Sequence, residues 1–432
     1  MTTIKKLKIL RSSDPAFKKR LKDILSGKDQ ITSETESIVK AILQAVKEEG
    51  DQALFNYTEK YDRIRLDAQS VMVSPEEIEN AYKTLDSKEI DTLNTAANRI
   101  KKYHQEQMDY VPMRMGKRKN VSQVLRPLKR VGLYVPGGKA AYPSSVLMGA
   151  IPAAVAGVNE IIMVSPTVSP QVLAAARIAG VNSIYRIGGA QAVAALAYGT
   201  ESIPKVDKIV GPGNVYVETA KRMLYGEVGL DMVAGPSEVL IVADDNGVAS
   251  FAAADLLAQA EHDEDAVPIL IATSEDFIRE VEKELSVQLK ALKRSEIAAK
   301  SIERKGIMIL AADIREAAEI TNIIAPEHLV LMVKEPDELL DMIRCAGAVF
   351  LGNYSPVAVG DYLAGPSHIL PTGGTARFFS PLGVEDFIKR MSVISFSKEE
   401  LIELGDTVQS LALIEGLDAH ARAVERRLEH KE

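Results

Sequence analysis

From about residue 130 the chain alternates short apolar runs with helical stretches, and this alternation restricts the folds open to it more than any other feature. The runs that read as strands are 131–135, 160–164, 183–187 and 208–210, then 238–243, 267–272, 306–310, 329–333 and 348–351. Helices fill the gaps. They begin near Pro143, Pro170, Ala190 and Asn214, and the second block is led by helices over 249–262 and 274–290. Strands joined by helical crossovers pair in parallel and are covered on both faces. Two such blocks, split near Gly235-Pro236, imply two α/β domains. The first 120 residues read as helix, with apolar residues at three- and four-residue spacing over 18–26, 34–49 and 75–107. Asp14-Pro15 and Ser74-Pro75 offer helix starts with proline in the first turn. After about Leu382 the pattern returns to helix and ends in a polar tail.

At 432 residues, two to four domains are expected. Hydrophobic residues make up 46% and charged residues 26%, which suffices for a full core. A net charge of −8 with interspersed signs argues against a nucleic-acid or polybasic membrane surface. The opening MTTIKKLKILRSSD lacks the apolar run of a signal peptide, and the longest apolar candidate, 146–158, reads as a buried helix. The single cysteine, Cys345, excludes an internal disulfide and any multi-thiolate zinc site. It fits a reducing compartment, so a cytoplasmic location is expected. A metal here must use histidine, carboxylate or amide oxygen.

Ligands of open α/β sheets sit beyond the carboxyl ends of strands. In the first block those ends carry Pro136-Gly137-Gly138, Gly188-Gly189-Ala190-Gln191 and Gly211-Pro212-Gly213-Asn214. Glycine lets a backbone approach a ligand, and the following helix aims N–H groups at phosphate. No GxGxxG is present, so these turns read either as tight βα corners or as a nucleotide site. Four of the six histidines lie in unusual strings: His262, His328, His368 and His420. Gln259 and His262 are three apart on an expected helix and share a face, a spacing suited to a metal or simply to a polar helix end. Asp361 stands in an apolar segment and needs a partner, either a metal or a helix N-terminus. Glu327-His328 sits where a helix gives way to a strand and suits acid–base chemistry, or is an exposed loop. Ser367-His368 opens a turn-rich loop, and no GxSxG accompanies it. Ser237 could polarise a ligand or hold a turn. His420 follows Glu415 by five residues, off the same-face spacing unless Gly416 breaks the helix.

Together these strings resemble the histidinol dehydrogenase family over essentially the whole chain. The resemblance is carried by VGLYVPGG (131–138), GGAQAVAALAYGT (188–200), VGPGNVYV (210–217) and AGPSEVLIVAD (234–244). It continues in AQAEHD (258–263), APEHL (325–329), GDYLAGPSHILPTGGTARF (360–378) and EGLDAHARAV (415–424). It implies zinc-dependent oxidation of L-histidinol to L-histidine with two NAD⁺ through an enzyme-held aldehyde. By motif match the zinc ligands are Gln259, His262, Asp361 and His420, all close to substrate. The further substrate contacts are Ser237, His328, His368 and Glu415. Glu327 and His328 are the implied acid–base pair, and Tyr134, Gln191 and Asn214 match NAD-contacting positions.

The implied fold is α/β: two incomplete Rossmann-like domains with parallel sheets, plus small amino- and carboxyl-terminal helical segments. The expected boundaries are a segment 1–25, an α/β domain from 26–129 and 238–381 carrying metal and catalytic residues, an NAD-binding α/β domain 130–237, and a helical tail 382–432. The family is a homodimer whose tail crosses to the partner, so His420 and Glu415 are expected to complete the other subunit's site. The loop 139–145 departs from the family pattern. Cys345 lies outside every motif, so no covalent thiohemiacetal is expected. Rival readings are a zinc hydrolase using the same ligands, a dehydrogenase of another amino alcohol, and a non-catalytic binding protein. Reduction of NAD⁺ on adding histidinol separates the first of these from the reading adopted.

Overall fold

The computed structural model describes residues 7, 9–26, 32–111, 114–115, 121–137 and 142–430. In chain order the strands are β1 (Ile9–Arg11), β2 (Arg114–Met115), β3 (Val121–Pro127), β4 (Arg130–Tyr134), β5 (Glu160–Val164), β6 (Ser183–Tyr185) and β7 (Lys208–Val210). They continue with β8 (Gly229–Leu230), β9 (Glu238–Ala243), β10 (Val267–Ala272), β11 (Ile307–Leu310), β12 (His328–Met332), β13 (Ala348–Leu351) and β14 (Ile388–Ile394). The chain forms two compact units, residues 1–108 with 128–387, and residues 109–127 with 388–432.

The first unit holds two parallel sheets. One has five strands in the order β6-β5-β4-β7-β8, the other six in the order β1-β11-β10-β9-β12-β13. Their central strands are buried at every residue: EVLIVA in β9, VPILIA in β10 and HLVLM in β12. Such runs are what a strand covered by helices on both faces requires. The expected α/β class with two parallel, Rossmann-like sheets is therefore the observed one. The short strands β1 and β8 were not foreseen. Each has two or three residues on a sheet edge, too few to show a period.

The amino-terminal helices form largely where expected. Pro75–Thr84 opens with Ser74 and Glu77 in a reciprocal capping box and proline in its first turn. Asp14 caps no helix directly, because its Oδ1 takes the Ala16 N–H and the helix starts at Phe17. Helices Ser33–Glu49 and Asp51–Asp62 bury Val39, Ile42, Val46 and Leu54 in the core of the five-stranded sheet. This part of the 26–129 region thus packs with residues 130–237 rather than with 238–381. The apolar 143–156 stretch is a buried helix, as expected. Among the described residues no helix is long and apolar enough to cross a membrane.

The second unit corrects the reading of 382–432 as wholly helical. Ile388–Ile394 is a strand, paired antiparallel with β3 from Ile388 opposite Pro127 to Ile394 opposite Val121. Six of its seven residues are exposed, so it shows no buried alternation, and its partner lies far away in sequence. Helices Lys398–Ile414 and Asp418–Glu429 follow as a hairpin.

The turn after β7 shows how tightly the first unit is built. Gly211 has φ +108°, and a Cβ there would lie 2.2 Å from the carbonyl oxygen of Tyr134. Gly226 has φ +95° with open space around it. Gly226→Ala is expected to cost about 1 kcal/mol of backbone strain, while Gly211→Ala should cost several-fold more because the backbone of β4 must also move. Urea denaturation of both variants checks the order; equal costs would contradict the packing argument.

Candidate active site

His328 is the first residue of β12 and pairs opposite Val239, so the backbone of Glu238 lies one residue off the ladder. Two neighbouring side chains use it. The Glu238 N–H donates to Glu327 Oε2 at 2.7 Å, and the Glu238 carbonyl lies 2.8 Å from His328 Nδ1. A carbonyl only accepts, so Nδ1 carries the proton. That leaves Nε2 with its lone pair when the ring is neutral. Nε2 is buried without a hydrogen-bond partner and lies 3.5 Å from Asp361 Oδ1. Glu327 Oε2 is 3.7 Å from His328 Nδ1. Both residues are buried. The chain reaches them through Ala325, which turns out of the preceding helix at φ +50°. A non-glycine residue held there is strained by about 1 kcal/mol or more.

Burial pushes the Glu327 carboxyl up to about 7, against the pull of His328 and the Glu238 N–H. Burial acts the other way on His328, but Glu327 and Asp361 outweigh it and raise the imidazole to about 9. Asp361 stays below the usual carboxylate range, since His328 and the neighbouring imidazoles overcome its burial. Burial keeps His368 below the ordinary imidazole value despite Asp361.

Asp361 lies on the short helix Val357–Tyr362, and its backbone carbonyl is 2.9 Å from His368 Nδ1. His368 Nε2 faces Ser145 Oγ at 3.4 Å. His328, Asp361 and His368 together line a cleft of about 380 Å³ with Phe350, Tyr354 and Ser367. Gln259 sits buried in the last turn of helix Ala249–Ala260, and its Nε2 has no partner. His262, just past that helix, is coupled electrostatically to Asp361. Ser237, partly buried, immediately precedes β9. The structure thus gathers Glu327, His328, Asp361, His262 and His368. Glu415 and His420 belong to the second unit, where both are exposed.

No three His, Cys, Asp or Glu side chains form a metal-ready cluster among the described residues. The first unit offers two such donors, His262 and Asp361, with the amide of Gln259. A nitrogen–oxygen donor set suits zinc, with Gln259 able to offer its amide oxygen and His262 an imidazole nitrogen.

The cofactor candidates lie at the carboxyl edge of the five-stranded sheet. Tyr134 ends β4, and its hydroxyl takes the Gly189 N–H at 3.1 Å. Burial raises that phenol to about 12, so it remains neutral. Gln191 is buried and reaches Asp62 at 3.4 Å. Asn214 caps helix Val215–Met223 through the N–H groups of Tyr216 and Val217. Of the loop 139–145, residues 139–141 lie outside the described residues, as does Gly138. The two edges of the site differ: carboxyl ends of β4 and β7 on one sheet, amino ends of β9 and β12 on the other. The expected carboxyl-edge position is thus where the cofactor candidates stand, and the acid–base candidates stand at amino ends.

Three features escaped the sequence reading. Glu238 serves through its backbone. Asp255, on the same helix as Gln259, takes the N–H of Val357 at the start of the Asp361 helix, and burial raises it to about 6. Lys221 is wholly buried, 2.8 Å from Asp231 Oδ1 and 3.6 Å from Glu218 Oε2. For Glu238 and Asp255 the available signal was a charged residue inside an apolar strand or helix, EVLIVA and ASFAAADLLAQA; Lys221, in VYVETAKRM, carried no such signal.

The family model described as Histidinol dehydrogenase matches residues 26–428. The chain belongs to the histidinol dehydrogenase family. Curated histidinol dehydrogenases from Syntrophotalea carbinolica and Aquifex aeolicus are 51% and 48% identical to it, covering 98% and 97% of this chain and 99% and 98% of theirs. The crystal structure of histidinol dehydrogenase from Elizabethkingia anophelis superposes with TM-score 0.91 at 35% identity, covering 98% of both chains. As a member of this family the chain is an oxidoreductase.

Glu218 offers a test of the electrostatics beside the cofactor edge. Burial raises its carboxyl from 4.5 to about 7, against the pull of Lys221. A folded-state value above the unfolded one gives stability that is complete below the unfolded pKa and is lost as pH rises through the folded one. Wild type should therefore lose on the order of 3 kcal/mol relative to Glu218→Gln as pH rises from 5 to 8. Urea denaturation at the two pH values measures the difference; a gap that does not change with pH refutes it.

Proposed function

We propose that this chain oxidises L-histidinol to L-histidine with two NAD⁺, the last steps of histidine biosynthesis. The observation that carries the reading is the acid–base pair. Glu327 and His328 are oriented by the backbone N–H and C=O of one residue, Glu238, with His328 Nε2 turned to Asp361 and the cleft beyond. Gln259, His262 and Asp361 would hold a divalent cation, and His420 of the partner subunit would complete the set in a homodimer with shared sites. Such a cation, zinc by donor type, would bind the imidazole and amine of histidinol as a template and draw the Asp361 charge away from His328.

In the first oxidation His328 Nε2 takes the hydroxyl proton while the carbinol hydride passes to NAD⁺, leaving the aldehyde and NADH. Glu327 then takes a proton from water as its oxygen adds to the aldehyde carbon, and His328 returns its proton to the former carbonyl oxygen, giving the hydrate and restoring the free imidazole. A second hydride passes to a second NAD⁺, with His328 again as base, and the carboxylic acid results. Ser237 and His368, with Glu415 of the partner subunit, would hold the substrate's polar groups. Tyr134, Gln191 and Asn214 would line the cofactor site, from which the glycine turns admit the dinucleotide closely. A protein confined to biosynthesis in a reducing compartment needs no disulfide, in keeping with its single free cysteine.

Two measurements test this. Glu327→Gln should slow oxidation of the aldehyde by about 10²–10⁴-fold while sparing oxidation of histidinol to the aldehyde. Equal loss of both half-reactions would remove the division of labour. Chelation should abolish NAD⁺ reduction by histidinol, and added zinc should restore it. Full activity in metal-free protein would sink the metal reading but leave the acid–base pair standing.

A further inference from the structure

Glu218 makes contacts that a simple partner for Lys221 does not need. Its Oε1 accepts the Gly213 N–H at 2.9 Å, and its Oε2 accepts the Ala234 N–H at 2.7 Å. These two amides belong to different segments. Gly213 lies in the 211–214 turn at the cofactor edge. Ala234 lies in 231–238, which carries the chain from the five-stranded sheet to the six-stranded one. The second segment is held along its length. Asp231 is fixed at its start by Lys221 and takes the Gly211 N–H at 2.7 Å. The Gly235 N–H donates to Thr372 Oγ1. Its last residue, Glu238, is the one that orients Glu327 and His328.

We propose that Glu218 is a positioning residue that couples the 211–214 turn to the acid–base pair through the 231–238 segment. The inference rests on the functional reading above, because it takes 211–214 as the cofactor side and Glu327–His328 as the chemical side. A carboxylate has two acceptor oxygens and can hold two N–H groups at once. Asp231 ties the same turn to the start of the segment through Gly211, and Glu218 ties it again further along, at Ala234. Reacting groups misplaced by about 1 Å lose on the order of a hundredfold in rate. Loosening one tether should therefore reach both cofactor binding and chemistry.

The test uses two variants of the full-length protein. Glu218→Gln keeps the shape but turns an NH₂ toward one of the two amides, so one tether is lost. Thr372→Val removes the anchor at Gly235 and leaves Gly213 untouched. Glu218→Gln is expected to raise KM for NAD⁺ and lower kcat, each by about tenfold to a hundredfold. Thr372→Val should lower kcat while KM for NAD⁺ stays within about twofold. Amide hydrogen exchange should quicken in both 211–214 and 234–238 in Glu218→Gln, but only in 234–238 in Thr372→Val. If Glu218→Gln changes KM alone, or lowers melting temperature with kcat and KM of the folded enzyme unaltered, the coupling is refuted. Unchanged exchange in 234–238 refutes it as well. Absence of histidinol-dependent NAD⁺ reduction in wild type would defeat the functional reading instead, and the exchange measurement would still decide the coupling.

Discussion

A carboxylate and an imidazole, adjacent in sequence and buried at the start of a parallel strand, must find partners for their polar atoms or forfeit several kcal/mol. Glu327 and His328 find them on one residue. Because β12 begins opposite Val239, the N–H and C=O of Glu238 are left off the ladder and face the two side chains. The rest of the site follows from that clamp. It sets the imidazole tautomer, aims Nε2 at Asp361 and brings two carboxylates near one ring, which raises its affinity for a proton. The arrangement needs no unusual residue at position 238, only a strand register that ends one residue early.

The two sheets contribute opposite edges. In a doubly wound fold the carboxyl ends of the strands are the open side, where helix N-termini and glycine turns await a ligand. The cofactor candidates Tyr134, Gln191 and Asn214 stand at or just past such ends, of β4, β6 and β7, whereas the candidates Ser237, Glu327 and His328 stand at the amino ends of β9 and β12. Ser145 faces His368, and the Ser367 hydroxyl donates to the carbonyl of Met148, so the helix that follows β4 touches the loop after Asp361.

How much of this was readable beforehand varied with the physics. β5, β7, β9, β10 and β13 form over the very runs expected of them, because strands covered on both faces are unbroken apolar stretches. β14 falls in a stretch that reads as helix: IKRMSVI is exposed on nearly every residue, so no buried period marks it, and its partner β3 is distant in the chain. Helices 33–62 were grouped with the wrong sheet, since an amphipathic stripe tells that a helix is covered but not by what. Among site residues, Glu327, His328, Asp361 and His368 drew notice as polar groups in apolar or turn-rich strings. Glu238 and Asp255 are single acids inside apolar elements whose partners only the fold reveals, and Glu218, beside Lys221 and Arg222, reads as part of an ordinary charged helix.

The amino-acid sequence alone determined the α/β alternation, the buried strands, the exclusion of a thiolate metal site and the family to which the chain belongs. These depend on local period, composition and ordered motifs, all of which are properties of the linear chain. Tertiary structure alone decided which strand edge carries the chemistry, which nitrogen of His328 is turned to Asp361, and that Glu218 holds two segments together. Those depend on register and on contacts between residues tens to hundreds of positions apart. Hydrogen bonds of that kind leave no periodic trace, because each is a single distance between two groups whose spacing in the sequence is arbitrary.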